Sequence, residues 1–316
     1  MTTSIRPSAR LAALSLLAAA ACLAQGLPAD FFAFDNGTGR DQKLPFDEQA
    51  ALLQRTGYAG MGIYTGTARI PEMLKALDAR KLRLLSVYVH SYADGRTPAV
   101  EEGIPEAARQ LAGRETMLML TVQGHGPEAE QRAVDNVRQV AEVAARHGLR
   151  VCLYPHVGFY VETTADALRI IAKVGAKAGA KVGAKAGAKA GAKAGAKVGA
   201  KAGRPNVGTA LNLFHTVSFH LSRCGGEDFD MARLIREALP HIYLASINGI
   251  TRNGGVAGLE RLDRGDYDVA GFLKVLDQAG YRGPVALQSY SVKGGLEENL
   301  ARSMAAWRAM HPSRRR

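Results

Sequence analysis

Three cysteines in 316 residues are too few for a disulfide framework. Cys22 lies in an apolar N-terminal run, and Cys152 and Cys224 stand far apart without metal-binding spacing. Cys152 sits inside an apolar, strand-like run, where a thiol behaves as a small buried hydrophobe. Long apolar runs are just as scarce. The best of them, Leu11 to Leu23, falls short of the roughly 20 residues that cross a bilayer, so no membrane span is expected. No Gly-rich phosphate turn follows the first strand-like segment, "FFAFDNG", which argues against a dinucleotide-binding open sheet. Aromatics are absent from the one strongly basic stretch, and no nucleic-acid module is recognisable. The net charge of +12 therefore does not make nucleic acid the expected partner; weak polyanion binding by the basic stretch is the alternative.

That stretch supplies most of the charge. Residues 172–203 are eight tetrads of Ala-Lys-(Ala or Val)-Gly with no acid, and without their eight lysines the chain carries +4. In a helix the lysines would stack at i,i+4 and repel. Each glycine would cost about 1 kcal/mol relative to alanine, and nothing larger than valine is available for burial. The pattern predicts a disordered segment or a marginal helix. Excising 176–203 joins "ALRIIAKVG", the end of an amphipathic helix capped by Gly175, to "RPNVGTALNLFHTV", which runs into a strand. The repeat reads as an insertion between the fifth helix and the sixth strand, dispensable for folding.

At the N-terminus, Arg6 and Arg10 precede the apolar run and small residues follow it, the pattern of a secretory leader cleaved after Ala24. The expected organisation is a leader, 1–24, and one domain, 25–316, interrupted by 172–203. The expected location is periplasmic or secreted; lipid anchoring at Cys22 is the alternative.

Between these appendages, apolar runs of strand length alternate with helix-period segments. "YAGMGIYTG" precedes "RIPEMLKALDARK", "TMLMLTVQGHG" precedes "EAEQRAVDNVRQVAEVAARHG", and "PVALQSYSV" precedes "LEENLARSMAAWRAM". Eight such units, with near-continuous apolar strands, predict a parallel sheet closed into a (β/α)8 TIM barrel. In that architecture chemistry belongs at the C-terminal ends of the strands. In strand order these carry Asp35 and Asn36; Tyr64; Tyr88 and His90; Gln123 and His125; Tyr154, His156 and then Glu162; Asn212 and His215; Asn248; Gln288 and Tyr290. Four of the eight histidines fall at these ends, so a rim of polar groups suited to a small polar ligand such as a sugar is expected.

Six segments, "GYAGMGIY", "LYPHVGFYVET", "RPNVGTALNLFH", "YLASINGI", "DRGDYDVAGFLKVLDQAGYRGPVALQSY" and "ENLARSMAAWRAM", together resemble the xylose isomerase-like TIM-barrel superfamily, in particular an exported bacterial branch of sugar phosphate isomerases and epimerases. The resemblance spans about Asp30 to Met310 outside the repeat. It implies one divalent ion, Mn²⁺, Mg²⁺ or Co²⁺, held by carboxylates and histidine, and glutamates that shuttle a proton at the substrate carbon. Carried over position by position, the strand-five Glu is replaced by Tyr154. The Asp of an Asp-x-x-His motif is Asn212 with His215 kept, the strand-eight Glu is Gln288, and strand seven offers Asn248. With its anionic ligands neutralised, the site binds metal poorly or not at all, or uses another set such as His156, Glu162 and His215 with neutral amides.

Two functions follow. One is an exported sugar or keto-sugar isomerase, epimerase or lyase. In it Glu162 or His156 takes a proton beside a carbonyl, and His90, Gln123, His125, Asn212, Asn248 and Gln288 contact the substrate. The other is a non-catalytic carbohydrate-binding protein on the scaffold of such an enzyme. No arginine cluster stands at the strand ends to hold a phosphate.

Overall fold

The computed structural model describes residues 26–64, 66–183, 206–224 and 229–310. The expected leader, Cys22 and the repeat from Ala184 to Gly203 lie outside the described residues.

Eight parallel strands close into a barrel: β1 (Phe31–Phe34), β2 (Gly60–Ile63), β3 (Arg83–Tyr92), β4 (Met117–Gln123), β5 (Arg150–Leu153), β6 (Val207–Asn212), β7 (Ile242–Ile247) and β10 (Val285–Leu287), which pairs back onto β1. The expected (β/α)8 barrel is therefore the observed one. The helices are α1 (Phe46–Thr56), α2 (Ile70–Asp78), α3 (Ile104–Gln110), α4 (Ala129–Arg146), α5 (Thr164–Gly183), α6 (Leu213–Arg223), α7 (Met231–Ala238), α8 (Val269–Ala279) and α9 (Leu296–Met310). Among the described residues no helix is long and apolar enough to cross a membrane.

The pleat sorts the strand residues into two cores. Phe32 and Phe34, Met117 and Met119, Cys152, Ala210, Leu244 and Ala286 fill the barrel interior. Their neighbours Phe31, Ala33, Leu118, Leu120, Val151, Leu211 and Val285 pack outward into the larger layer beneath the helices. Gly62 is required by this packing, because a Cβ there would lie 2.6 Å from the Phe34 ring. α9 seals the outer layer, with Trp307 stacked on Phe31 at 4.6 Å between centroids and 9° between planes.

Three local features depart from the sequence reading. First, α5 continues to Gly183 instead of ending at Gly175, so two further tetrads extend it. Once a helix is nucleated by a packed stem, Ala and Lys propagate it well enough to offset the glycines over a few turns. Second, α6 starts directly at the end of β6. Asn212 caps it, its Oδ1 accepting the His215 N–H at 3.0 Å, and Thr216 Oγ1 donates back to Asn212 O at 2.8 Å. Third, the Gly-rich loop after β7 is a hairpin of β8 (Gly249–Asn253) and β9 (Val256–Glu260). Its turn residues, Gly254 and Gly255, have φ of 57° and 82°, the left-handed pair that a tight two-residue hairpin demands.

Candidate active site

Two residues further along the strands, the inward pleat positions Cys152, Ala210 and Ala286 become Tyr154, Asn212 and Gln288. Tyr154 and Gln288 line the floor of a cavity of about 360 Å³ at the C-terminal mouth of the barrel, and Asn212 supports Tyr154 from beneath it. Asn212 Nδ2 donates to Tyr154 Oη at 2.7 Å. Gln288 Nε2 donates to Tyr154 Oη at 3.4 Å and to Tyr64 Oη at 3.3 Å, and the two phenol oxygens are themselves 3.4 Å apart. Tyr88 stands edge-on to both rings, with centroids 4.7 Å from Tyr64 and 5.4 Å from Tyr154. Burial raises all three phenols. Tyr154 is pushed up to about 12, with the hydrogen bonds from Tyr64, Asn212 and Gln288 pulling it back.

The orientation of both amides is fixed from outside the cavity. A backbone N–H must face an oxygen, so the His215 N–H sets Asn212 Oδ1, and the Ser289 N–H at 3.1 Å sets Gln288 Oε1. Asn36 Nδ2 also donates to Gln288 Oε1. Both NH₂ groups are thereby left to point at the phenol.

Above this floor stand three histidines. His156 Nδ1 lies 2.8 Å from Val157 O. A carbonyl oxygen only accepts, so Nδ1 carries the proton and Nε2 keeps its lone pair. Burial lowers the His156 pKa, and the Val157 carbonyl and Glu162 counter it. The His215 ring lies 4.2 Å from that of His156, and its buried Nδ1 has no hydrogen-bond partner. Burial, with His156 beside it, pushes His215 down to about 3. His90 receives Gln123 Nε2 on Nδ1 at 3.0 Å, with Thr121 Oγ1 at 2.8 Å; burial lowers it too, against Glu101. These rings are held neutral.

Of the residues expected at the site, His90, His156, His215 and Gln288 line one cavity, and Asn212 lies beneath it as a donor to Tyr154. Gln123 reaches the site only through His90. His125 is exposed and directed to Gly158 O at 3.4 Å, away from the mouth. Asn248 is buried and donates to Gly249 O at 2.6 Å. Glu162 is not at the mouth. It lines a neighbouring cavity of about 250 Å³ beyond His215, and its Oε1 accepts the Gly158 N–H at 3.0 Å. Three lining residues escaped the sequence reading: Arg40, Phe214 and Leu259. Arg40 belongs to the loop after β1 and is paired with Asp41 at 2.8 Å and Asp35 at 3.5 Å. Phe214 and Leu259 come from α6 and the hairpin, whose turn "NGGV" was the available signal.

The donors do not fit the divalent ion that the resemblance implies. Among the described residues no group of three or more His, Cys, Asp and Glu is placed to hold a metal. The oxygens that could substitute, Asn212 Oδ1 and Gln288 Oε1, are already occupied by N–H donors, and the amide faces turned to Tyr154 are NH₂ groups. A cation at this floor would meet donors, not acceptors.

The resemblance seen in the sequence holds: residues 50–184 match the family described as Xylose isomerase-like TIM barrel. Inosose dehydratase from Serratia proteamaculans (strain 568) is 23% identical over 148 residues, which cover 41% of this chain and 50% of that one. The match thus spans about half the length of this relative. The apo structure of 3-keto-D-glucoside 4-epimerase from E. coli superposes with a TM-score of 0.64 at 14% identity, covering 89% of this chain and all of that one. A structure of the IOLI protein with a zinc atom superposes with a TM-score of 0.58 at 15% identity, covering 89% and 96%. At these identities the superpositions establish the fold.

Proposed function

We propose that the mouth of this barrel binds a small, uncharged sugar or keto-sugar and exchanges a proton at the carbon beside its carbonyl, as a sugar isomerase or epimerase does. The observation that carries this reading is His156. Its proton is committed to Val157 O, its Nε2 lone pair is free, and it lines a polar-floored, tyrosine-walled cavity at the face where barrel chemistry occurs. The E. coli 3-keto-D-glucoside 4-epimerase and the Serratia inosose dehydratase, both named for work on cyclic polyols or keto-sugars, support the substrate class. Secretion by the N-terminal leader fits an unphosphorylated substrate, and so does Arg40, whose charge is already met by Asp35 and Asp41.

In this reading the substrate ring packs against the Tyr64 and Tyr88 faces and its hydroxyls take the free hydrogen-bonding groups of the rim. His156 Nε2 removes the proton beside the carbonyl. The C–H electron pair becomes the C=C bond of an enol, and the carbonyl electrons move onto its oxygen. Return of a proton from His156⁺ to the original carbon regenerates the ketone and is the exchange reaction; return to the former carbonyl carbon, as the neighbouring hydroxyl passes its proton to the enolate oxygen and becomes the new carbonyl, is isomerisation. Burial favours neutral His156, so the base remains competent below its ordinary pKa.

Proton exchange in D₂O, followed by NMR on D-allulose and on a methyl 3-keto-D-glucoside, tests this. The wild type should exchange the proton beside the carbonyl, and His156→Gln should lose at least about 100-fold of that rate. Binding without exchange in the wild type would favour the carbohydrate-binding alternative.

A further inference from the structure

The phenol of Tyr154 presents an unusual hydrogen-bond ledger. Its oxygen receives Asn212 Nδ2 at 2.7 Å and Gln288 Nε2 at 3.4 Å, with the Tyr64 hydroxyl 3.4 Å away. A phenol has one proton to give and accepts through its oxygen. With both amides donating into that oxygen, the only recorded acceptor for its proton among the described residues is the distant Tyr64 Oη. The residue is 1% exposed and lines the floor of the cavity, so the proton is desolvated and a ligand oxygen in the mouth would offer it a better acceptor than Tyr64 Oη. The amides cannot be turned round to accept it, because the His215 and Ser289 N–H groups hold their oxygens.

We infer that Tyr154 is the electrophile of the site: its O–H donates to the substrate's carbonyl oxygen and to the enolate oxygen formed from it, at the floor position where a metal-dependent barrel would present a cation. This rests on the proton-exchange reading above. As His156 Nε2 takes the carbon-bound proton, the electron pair arriving on the carbonyl oxygen strengthens the hydrogen bond from Tyr154. Two N–H donors behind the phenol oxygen stabilise the partial negative charge it acquires, and no proton need leave it. Burial raises Tyr154, and the hydrogen bonds from Tyr64, Asn212 and Gln288 pull it back down, which is the direction an acidic hydrogen-bond donor needs. Tyr154, Asn212 and Gln288 therefore act as one device. An amide is the group that donates into the phenol; a carboxylate in either place would accept the phenol proton and take it away from the substrate.

Two variants test this. Tyr154→Phe deletes the proton. Asn212→Asp keeps the tyrosine and keeps the helix cap, since Asp caps as well as Asn, but it offers the phenol a carboxylate oxygen. Exchange into D-allulose and methyl 3-keto-D-glucoside is measured in D₂O with EDTA present, with near-UV circular dichroism confirming the fold. The wild type should exchange under EDTA, and each variant should lose about 100- to 1,000-fold. A folded Asn212→Asp protein decides the matter even if Tyr154→Phe does not fold. Wild-type rates in either folded variant would overturn the role of Tyr154 and leave the proton-exchange reading standing. Wild-type exchange that vanishes with EDTA and returns with Mn²⁺, or a stoichiometric Mn²⁺ site seen by calorimetry in the wild type, would overturn it equally. No exchange by the wild type on either ketose, with or without Mn²⁺, would instead bring down the proton-exchange reading and this inference with it.

Discussion

Taking the protein from pH 7 to pH 5 should remove about 2 kcal/mol of its unfolding free energy through His215 alone. The ring is held down to about 3 in the folded barrel against an ordinary value of 6.5. The unfolded chain therefore binds the proton first, and stability is lost as pH falls below 6.5, continuing until the folded ring protonates near 3. pH 5 lies 1.5 below the unfolded ring's value of 6.5, and each pH unit is worth about 1.4 kcal/mol, which gives the figure above. His156 and His90 are lowered in the same direction and add to it. Carboxylates do not confuse the window. Those held low, such as Glu106 beside Arg109, contribute stability that is present above about 4.5 and lost only below it. Urea unfolding at pH 7, 6 and 5, on the wild type and on His215→Phe, measures the effect. The phenyl ring keeps the edge-on packing against Tyr154, removes the unpartnered Nδ1, and cannot titrate. The wild type should lose about 2 kcal/mol more than the variant between pH 7 and pH 5. Parallel curves for the two proteins would refute the claim that His215 is buried neutral.

Two other outcomes are expected. Trp307→Ala removes the partner stacked on Phe31 and should cost about 3–5 kcal/mol in urea unfolding at pH 7. Deleting residues 176–203, which takes off the end of α5 with the rest of the repeat, should shift the unfolding free energy by less than about 1 kcal/mol, since the length of a connection costs only about 0.6 kcal/mol per doubling.

The barrel was legible because its signal is redundant. Eight units each repeat the strand-then-helix pattern, and the pleat alternation that puts Phe32 and Phe34 inside and Phe31 and Ala33 outside needs no tertiary information. The strand ends were legible for the same reason, and this brings Tyr154, Asn212 and Gln288 to one floor. What failed was local chemistry beyond the strands. "NLFHTV" reads as the end of the sixth strand, because its apolar, β-branched and aromatic residues mask the capping Asn that turns the chain into α6. Glu162 follows a rim histidine in sequence, yet the turn in which Gly158 N–H binds its carboxylate carries it to the far side of His215. Arg40 could not be placed from sequence, since its position depends on pairing with Asp35 across the turn Asp35–Gly37.

The three neutral residues at the floor also explain one another. A single buried carboxylate costs several kcal/mol unless a cation or several donors meet it, and it otherwise escapes by taking up a proton. An Asp at 212 or a Glu at 288 would face a phenol rather than a metal, and its carboxylate would accept the proton of Tyr154. A Glu at 154 between two amide NH₂ groups would have donors for its oxygens but no proton to give a substrate. The three together satisfy both amide oxygens and the phenol oxygen without charge, and leave the phenol proton available to the cavity. The floor is a coupled set: under the proposed reading, changing Asn212, which reaches the cavity only through Tyr154, should still lower the exchange rate.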